Sequence, residues 1–307
     1  MRRATENRLL AAVLCVLWGT QFVVQRLALE EAAPPWVAAG RATVAAVVLL
    51  PLAGRLRGIG GRGLLTVLAL GIANQAGFVG LQVAGLRTVG AGPAAAIIYL
   101  QPVLVLLAAG RVLGERLTVR KVVASLLGFA GVAVVGLHQA SAVSVGGVLF
   151  LLGASVSWTI GTLVTSAAQE PIVPLVVGQH LVGAPLLLIG AALAEPLPDV
   201  TAKLAWCVLY AGAGGSALAW LLWSALMRRG DAGVVSTWLF AVPVLAGLLG
   251  VVVLDEPLSA ELILGIALVA VAVRLAATAV AGDGATAPAP GTAASRGTPP
   301  AGRSRRA

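Results

Sequence analysis

One hydrophobic module occurs twice in this chain, once in each half. Its most distinctive element reads Leu-Gly-Glu-Arg-Leu-Thr at 113–118 and Leu-Asp-Glu-Pro-Leu-Ser at 254–259. Each copy follows an apolar run that contains a proline, and the offset from Pro102 to Pro243 is the same as the offset from Glu115 to Glu256. In membrane proteins, such a duplication is typical of transporters built from two halves with the solute site between them.

The composition places this module in a membrane. The 307-residue chain is 59% hydrophobic and 11% charged, whereas a soluble domain carries about 25% charged residues. The charges lie between apolar runs that match the roughly 20 residues of a membrane-spanning helix, and these runs are too long and too uniformly apolar for barrel strands. We predict ten spans, at about 9–28, 35–54, 63–84, 91–111, 120–138, 146–166, 172–193, 203–226, 232–253 and 260–280.

The distribution of basic residues predicts the orientation of these spans. Sixteen Lys and Arg residues lie in connections on the side of the N-terminus, and only Arg87 and Lys203 lie on the other side. By the positive-inside rule, both termini are expected to be cytoplasmic and the protein to be a multi-pass protein of the cell inner (cytoplasmic) membrane. The same distribution accounts for the net charge of +9, so nucleic acid is not expected as a partner.

Five spans in each half is an odd number, so the second half must enter the membrane from the opposite side. The predicted fold is therefore an all-α integral membrane protein with ten transmembrane helices in two inverted five-helix repeats, at 1–140 and 141–281. The segment 282–307 is rich in Ala, Pro and Gly and is expected to be a disordered cytoplasmic tail. Cys15 and Cys207 lie inside apolar spans and are expected to be small buried residues.

Several short motifs follow one another between residues 8 and 280. They are Trp18-Gly19 with Phe22, Arg41, Gly85-Leu86 with Ala91, Gln101-Pro102 and Leu113–Leu117 in the first half, and Trp158, Leu226, Pro243 and Leu254–Leu258 in the second. In this order the chain resembles the EamA-type members of the drug/metabolite transporter (DMT) superfamily. The resemblance implies two EamA-like repeats and the export or uptake of small metabolites, a class that spans amino acids, nucleosides, sugars and drugs. The second half departs from the pattern at Arg41, where Gln179 and His180 are the nearest polar residues.

Polar and aromatic residues inside the spans either line a solute pathway or join helices, and the sequence leaves both roles open. These candidates are Trp18, Gln21, Arg41, Gln75, Gln82, Tyr99, Trp158, Thr162, Gln179 and His180. Arg41 lies roughly 9 Å inside its span, where it is expected to face a cavity or a partner, with snorkelling towards Glu30 or Glu31 as the alternative. His180 is either a packing residue or a group that titrates near neutral pH.

The repeated motif supplies four more candidates. Pro102 and Pro243 each remove one helical hydrogen bond, which gives either simple curvature or a broken helix that opens a cavity. Glu115 and Glu256 are expected to organise the turns before the N-caps Thr118 and Ser259, and a gate or an ion site is the alternative.

Together these features predict a secondary transporter, and more specifically an exporter, of small polar metabolites such as amino acids that works by alternating access. Its partners are a small-molecule solute, anionic or zwitterionic in view of Arg41, and the lipid bilayer; a homodimer is left open, as is the coupling mode. No cofactor or metal is expected. The spans carry no mid-span Asp or Glu for a carboxylate proton relay. A polytopic membrane enzyme and a non-transporting sensor or scaffold are the alternatives, but they would need clustered catalytic side chains or a folded soluble domain.

Overall fold

The computed structural model describes residues 2–86, 88–89, 94, 97–115, 117–138, 144–229, 232–253 and 260–285. These residues form helices and short connections, with no β-strand among them. The α-helices are α1 (Arg2–Leu29), α2 (Pro34–Leu49), α3 (Gly61–Leu70), α4 (Phe78–Leu86), α5 (Gln101–Val112), α6 (Val119–His138), α7 (Val145–Ala167), α8 (Ile172–Ala194), α9 (Ala202–Gly212), α10 (Ala219–Arg229), α11 (Ala232–Thr237), α12 (Ala241–Val253) and α13 (Ala260–Ala285).

Several of these helices are joined end to end by turns of different pitch. A π-helical stretch at Gly71–Gly77, the first π segment, links α3 to α4, and another at Ala213–Leu218, the second π segment, links α9 to α10. A 3-10 stretch at Leu50–Gly58 extends α2, and a shorter one at Trp238–Phe240 links α11 to α12. Continuous helical rods therefore arise from segments whose hydrogen-bond pattern changes inside the span.

Six rods are long and apolar enough to cross a membrane, which confirms the prediction of an all-helical membrane protein. They are Thr5–Leu29, Pro34–Gly58, Gly61–Gly85, Val145–Ala167, Ile172–Ala194 and Ala202–Arg229. The other four predicted spans coincide with α5, α6, α11 with α12, and α13, which are not among these six rods. The count of ten therefore stays a prediction.

The outer surface of the bundle is apolar, as expected of a protein surrounded by lipid. Large side chains such as Leu65, Leu193 and Trp206 project from the helices without protein neighbours over most of their area. In water such a surface would be an unfavourable apolar patch. In a bilayer it is matched to the hydrocarbon, while the backbone polar groups are satisfied within the helices.

Contacts at the helix ends define two opposite faces of the bundle. At one face, which we call the Glu30 face, Trp36 Nε1 at the start of α2 donates to the Pro196 carbonyl just after α8, at 2.7 Å. At the other, the Glu170 face, Arg228 near the end of α10 donates to the Glu170 carbonyl just before α8, at 2.7 Å. The start of α2 therefore lies beside the end of α8, and these two helices run in opposite directions.

The Glu30 face also carries an exposed cluster of charges. Lys203 Nζ lies 2.5 Å from Glu30 and 3.4 Å from Glu31. The Thr201 hydroxyl donates to Glu31 Oε2 at 2.8 Å, and this hydrogen bond lowers the pKa of Glu31 below its ordinary value. Glu30 and Glu31 thus pair with the start of α9, so neither is the partner of Arg41 that the snorkelling alternative required.

Close helix contacts recur between the two copies of the module. A Cβ added at Gly71 would overlap Val182 of α8, and one added at Gly212 would overlap Val44 of α2. Gly71 and Gly212 have the same offset as the two motif prolines, so the two contacts are equivalent in the two copies. In the same way, a contact of Gly40 with Val208 recurs as the contact of Gly178 with Val67. Only glycine allows these helices to approach so closely.

The repeated motif of the first half forms a tight helix end. Gly114 has φ +71°, a left-handed conformation that glycine adopts without strain, and it terminates α5. Thr118 then caps α6 through the Lys121 amide at 3.4 Å, as predicted. Glu115 Oε1 accepts from the Ala232 amide at 2.7 Å, so it caps the first residue of α11 in the other copy of the module. Glu256, Ser259 and most of the C-terminal tail lie outside the described residues.

The two cysteines behave as predicted. Cys15 and Cys207 are both buried and neither is part of a disulfide. Cys15 Sγ lies 3.7 Å from the Trp238 carbonyl, so this side chain helps α1 to pack against the turn between α11 and α12.

Candidate functional site

A central cavity lies where α1, α2, α4, α7 and α10 meet. It measures about 450 Å³, its open mouth included. Five of the lining residues are aromatic and four carry an amide or a guanidinium group. The lining residues are Trp18, Gln21, Gln25, Arg41, Phe78, Gln82, Ile98, Tyr99, Trp158 and Trp220.

The aromatic rings form one connected cluster around Trp158. Its ring centre lies 4.9 Å from that of Phe78, 5.6 Å from that of Trp18 and 6.0 Å from that of Tyr99. The ring centre of Trp220 lies 6.1 Å from that of Trp18. These separations are typical of tilted and edge-to-face pairs, which hold large rings in fixed orientations.

Arg41 supplies the positive charge of the cavity. The side chain is 6% exposed. In the orientation that satisfies both ends of the Gln21 amide, its oxygen accepts from Arg41 at 2.8 Å and from Gln25 at 2.8 Å, while its nitrogen donates to the Gly215 carbonyl at 2.9 Å. No carboxylate of the described residues pairs with Arg41, so the guanidinium keeps donors for which these residues provide no anion.

Helix periodicity explains why these side chains converge. Trp18, Gln21 and Gln25 follow one another at spacings of three and four residues, so they share one face of α1. Trp18 Nε1 also donates to the Gly215 carbonyl at 3.0 Å, which fixes that face against the second π segment. Arg41 lies seven residues after the first residue of α2, about two turns inside the helix.

The cavity leads to the Glu30 face. A smaller cavity of about 320 Å³ adjoins it and shares Gln25, Arg41 and Gln82 with it. The remaining lining of this smaller cavity includes Leu29 and Pro34, which stand at the ends of α1 and α2 on that face. The two cavities together form a recess that runs from Arg41 towards the Glu30 face.

Packing closes the cavity towards the Glu170 face. Trp223, fully buried, lies beneath the rings, with its centre 5.7 Å from that of Trp18 and 6.0 Å from that of Trp158. Closer to that face, Ser125 and Thr237 form a hydrogen bond of 3.5 Å. The bond from Ala232 to Glu115 adds a further link between the two copies of the module. The described state is thus open on one side and closed on the other.

The structure divides the predicted pathway residues into two groups. Six of them line the central cavity, namely Trp18, Gln21, Arg41, Gln82, Tyr99 and Trp158. The other four are buried between helices instead. Gln179 accepts from Asn74 at 2.9 Å, and Thr162 accepts from Gln101 at 3.0 Å.

His180 is buried together with Gln75. Its Nδ1 lies 2.8 Å from the Val176 carbonyl and must donate to it, so Nε2 is left to accept from the Gln75 amide at 3.5 Å. Both ring nitrogens are therefore used by a neutral imidazole.

The two prolines of the motif lie in the first turn of a helix. Pro102 is the second residue of α5, after a turn at Tyr99 and Leu100. Pro243 is the third residue of α12, after the 3-10 turn Trp238–Phe240. A proline in a first turn removes no helical hydrogen bond, so the departure from α geometry lies just before each proline. At the first of these sites it brings Tyr99 into the cavity.

Four lining residues are not among the ten predicted pathway residues, namely Gln25, Phe78, Ile98 and Trp220. The spacing of Gln25 could have identified it as a lining residue, because Gln25 lies on the face of α1 that carries Trp18 and Gln21. Phe78 stands immediately after the first π segment, whose register change the sequence did not reveal. Ile98 and Trp220 carry no pattern that separates them from other apolar residues of their helices.

No metal-binding cluster occurs in the described part of the chain: no three His, Cys, Asp or Glu side chains lie together there.

The chain is similar in sequence to proteins that are named as transporters. A sequence model of the EamA-like transporter family matches it twice, over residues 8–137 and 145–278. The uncharacterized transporter YvbV of Bacillus subtilis (strain 168) is 32% identical over 284 residues, which cover 89% of this chain and 92% of YvbV. The uncharacterized transporter sll0355 of Synechocystis sp. is 27% identical, with 84% of this chain and 86% of that protein covered.

The fold also occurs in a solved structure. A protein known from a crystal structure is 24% identical and matches with a TM-score of 0.76. The match covers 91% of this chain and 98% of the other. Two proteins that align over nearly their whole lengths at this score have the same fold.

Proposed function

Because the chain belongs to the EamA-like transporter family, we propose that it is a secondary transporter that exports small carboxylate-bearing metabolites, such as amino acids, across the cytoplasmic membrane by alternating access. The solute site of this proposal is the central cavity. The alternatives of a membrane enzyme and of a sensor are disfavoured, since the named relatives are transporters.

The observation that carries the proposal is the unpaired charge of Arg41. A cation buried at the depth of the hydrocarbon costs at least about 2.5 kcal/mol, and no carboxylate of the described residues offsets that cost. A solute carboxylate would supply the missing anion, and the planar guanidinium can donate two parallel hydrogen bonds to it. Arg41 opens onto the cavity that a solute can enter, so it is the recognition group of the proposed site.

The rest of the lining fits the remainder of such a solute. The rings of Trp18, Phe78 and Trp158 offer apolar surface to a hydrocarbon or aromatic side chain. Gln25 and Gln82 carry amides that can bond an ammonium or hydroxyl group. The indole N–H of Trp158 is buried and has no acceptor in the described structure, which suits a solute that brings one.

The proposed architecture has ten transmembrane helices in two inverted repeats, at 1–140 and 141–281, followed by a disordered tail. Two observations support it: α2 and α8 run in opposite directions, and the contact of Gly71 with Val182 recurs as that of Gly212 with Val44. The basic connection 55–62 joins α2 to α3 at the Glu170 face, so we assign this face and both termini to the cytoplasm. The cavity then opens outwards.

The proposal is tested by solute flux into proteoliposomes. Wild-type protein should exchange L-phenylalanine or L-leucine and should discriminate against the corresponding amino acid amides, which lack the carboxylate. Arg41→Ala should lose about 1.5–3 kcal/mol of solute binding, a roughly 10- to 150-fold rise in KM, together with this discrimination. Arg41→Lys should recover part of both, since lysine lacks the planar fork.

Arg274→Ala is the matched control, because Arg274 also lies inside a predicted span, on α13, but outside the cavity. It should transport like the wild type. An Arg41→Ala variant with unchanged KM and unchanged discrimination would refute carboxylate recognition. Accumulation in inside-out vesicles tests the export direction, and a wild-type protein that moves no small solute would refute the transporter proposal itself.

A further inference from the structure

The pair of side chains that holds Arg41 has a counterpart in the other half of the chain. In the cavity, Gln21 packs over Gly215 of the second π segment, where an added Cβ would overlap the Gln21 amide. Outside the cavity, Asn74 of the first π segment packs over Gly161 of α7, where an added Cβ would overlap the Asn74 amide. Each arrangement places an amide side chain over a glycine of the facing helix.

The two arrangements occupy equivalent positions of the repeated module. The matched positions are Gln21 with Gly161, Asn74 with Gly215, and Arg41 with Gln179. The two members of each pair are separated along the chain by the same number of residues as those of a nearby matched pair. These nearby pairs are, in the same order, Trp18 with Trp158, Gly71 with Gly212, and Gly40 with Gly178. Arg41 and Gln179 each lie seven residues after the first residue of their helix. The bond of Gln21 to Arg41 is thus mirrored by the bond of Asn74 to Gln179.

The counterpart is closed and its polar atoms are not satisfied. Asn74 and Gln179 are 0% and 1% exposed. They share one hydrogen bond of 2.9 Å, while Asn74 Oδ1 and Gln179 Nε2 have no partner. Each buried unsatisfied group costs about 1–3 kcal/mol, a cost that contact with water or a polar solute would remove.

The pair lies between the central cavity and the Glu170 face. Asn74 precedes Phe78 by four residues along the rod Gly61–Gly85, which begins at the Glu170 face. The pair therefore lies about one helical turn closer to the Glu170 face than Phe78 does. The rings of Phe78 and Trp158, 4.9 Å apart, belong to the closed floor of the cavity. A solute that left the cavity towards the Glu170 face would pass these rings and meet Asn74 and Gln179.

We propose that Asn74 and Gln179, with Gln75 and His180 beside them, line the solute path when the protein opens to the Glu170 face. The inference rests on the proposed function, because it takes alternating access as its premise. In the described state Gln21 and Arg41 line the central cavity, whereas their counterparts are packed between helices. In the opposite state the second pair opens, gains water, and offers the solute neutral amides in place of a guanidinium.

The first test is sided labelling of single cysteines. In a background with Cys15→Ala and Cys207→Ala, Gln179→Cys is treated with an impermeant methanethiosulfonate reagent in right-side-out or inside-out vesicles. Ala184→Cys is the matched control: Ala184 lies on the same helix and is also buried, but packs against Ala42 and Ala46. We expect the cysteine at 179 to react from the Glu170 face at least tenfold faster than the cysteine at 184. Equal rates, or reaction from the Glu30 face alone, would overturn the inference.

The second test separates a pathway role from a packing role. The double variant Asn74→Leu with Gln179→Met keeps the side-chain shapes and removes the unsatisfied polar atoms, so it should stabilise the closed pair. We expect this variant to fold, to bind L-phenylalanine from the Glu30 face as the wild type does, and to lose nearly all of its transport. Normal transport would overturn the inference, as would loss of binding and transport together.

The labelling test also keeps this inference distinct from the proposed function, because it needs no solute. If the cysteine-free parent exchanges amino acids while position 179 stays unreactive, the inference fails and the proposed function stands. If position 179 reacts as expected but the parent moves no solute, the second opening is real and the transport proposal fails.

Discussion

Glu115 is expected to stabilise a helix that belongs to the other half of the chain, and this can be measured. Its carboxylate accepts from the Ala232 amide at 2.7 Å at the start of α11. Removing an N-cap acceptor costs about 0.5–2 kcal/mol, and removing a negative charge from a helix N-terminus costs about 0.3–1 kcal/mol more. We therefore expect Glu115→Ala to destabilise the protein by about 2 kcal/mol, and Glu115→Gln, which keeps an acceptor oxygen, by about half as much.

The assay is thermal unfolding of purified protein in detergent, followed by tryptophan fluorescence. Because unfolding entropy is about 2.1 cal/mol/K per residue, a loss of about 2 kcal/mol lowers the Tm of a 307-residue chain by roughly 3 °C. Asp199→Asn is the control, since Asp199 is an exposed carboxylate on the opposite face. A Glu115→Ala variant that unfolds at the parental temperature, or a control that falls equally, would refute the capping argument.

Glu115→Ala should also shift the equilibrium between the described state and the state that is open to the Glu170 face. The bond from Ala232 to Glu115 links the two copies of the module at the Glu170 face, which is closed in the described state. Weakening it should favour the state that is open there. In the background used for sided labelling, adding Glu115→Ala should therefore speed the reaction of the cysteine at 179 several-fold, and leave the control cysteine at 184 unchanged.

Other perturbations test the topology, the tail and the buried histidine. In intact cells, an impermeant thiol reagent should label Val200→Cys at the Glu30 face and spare Gly60→Cys at the Glu170 face; the reverse pattern would invert the assigned orientation. Truncation after Gly282 should leave membrane insertion and transport largely intact, because the sequence of the removed segment has too few large apolar residues to form a packed core; lost activity would reveal a role for it. If transport is driven by protons, His180→Gln should abolish the response of uptake to an imposed pH gradient, and an unchanged response would exclude His180 as the proton carrier.

The sequence predicted how far along its helix a residue lies better than it predicted which side of the helix the residue faces. The depth of Arg41 and the pairing of Trp18 with Trp158 followed from spacing within the duplicated module. The spacing did not predict which polar residues line the cavity and which lie between helices. A membrane helix is apolar towards both lipid and core, so its sequence lacks the polar face that orients helices of soluble proteins. Gln75 and Gln82 therefore looked alike, although only Gln82 lines the cavity.

Two further features lay beyond local reasoning. The π segments shift the register of the side chains that follow them, which is how Phe78 comes to face Trp158. The acceptor role of Glu115 depends on a helix that begins far along the chain, at Ala232, whereas neighbouring residues supported only a local turn. Contacts between residues so far apart in the chain follow from the way the two halves pack, and not from either copy of the motif alone.

The π segments also bear on the history of the chain. A π turn arises when one residue is inserted into an α-helix without destroying it. The two segments begin at Gly71 and Ala213, which are nearly equivalent positions of the duplicated module, since Gly71 matches Gly212. A single insertion in an ancestral gene that encoded one module, made before that gene was copied and fused, would account for both. Present-day proteins that descend from the unfused ancestor and assemble as pairs should then carry the same extra residue in their third helix.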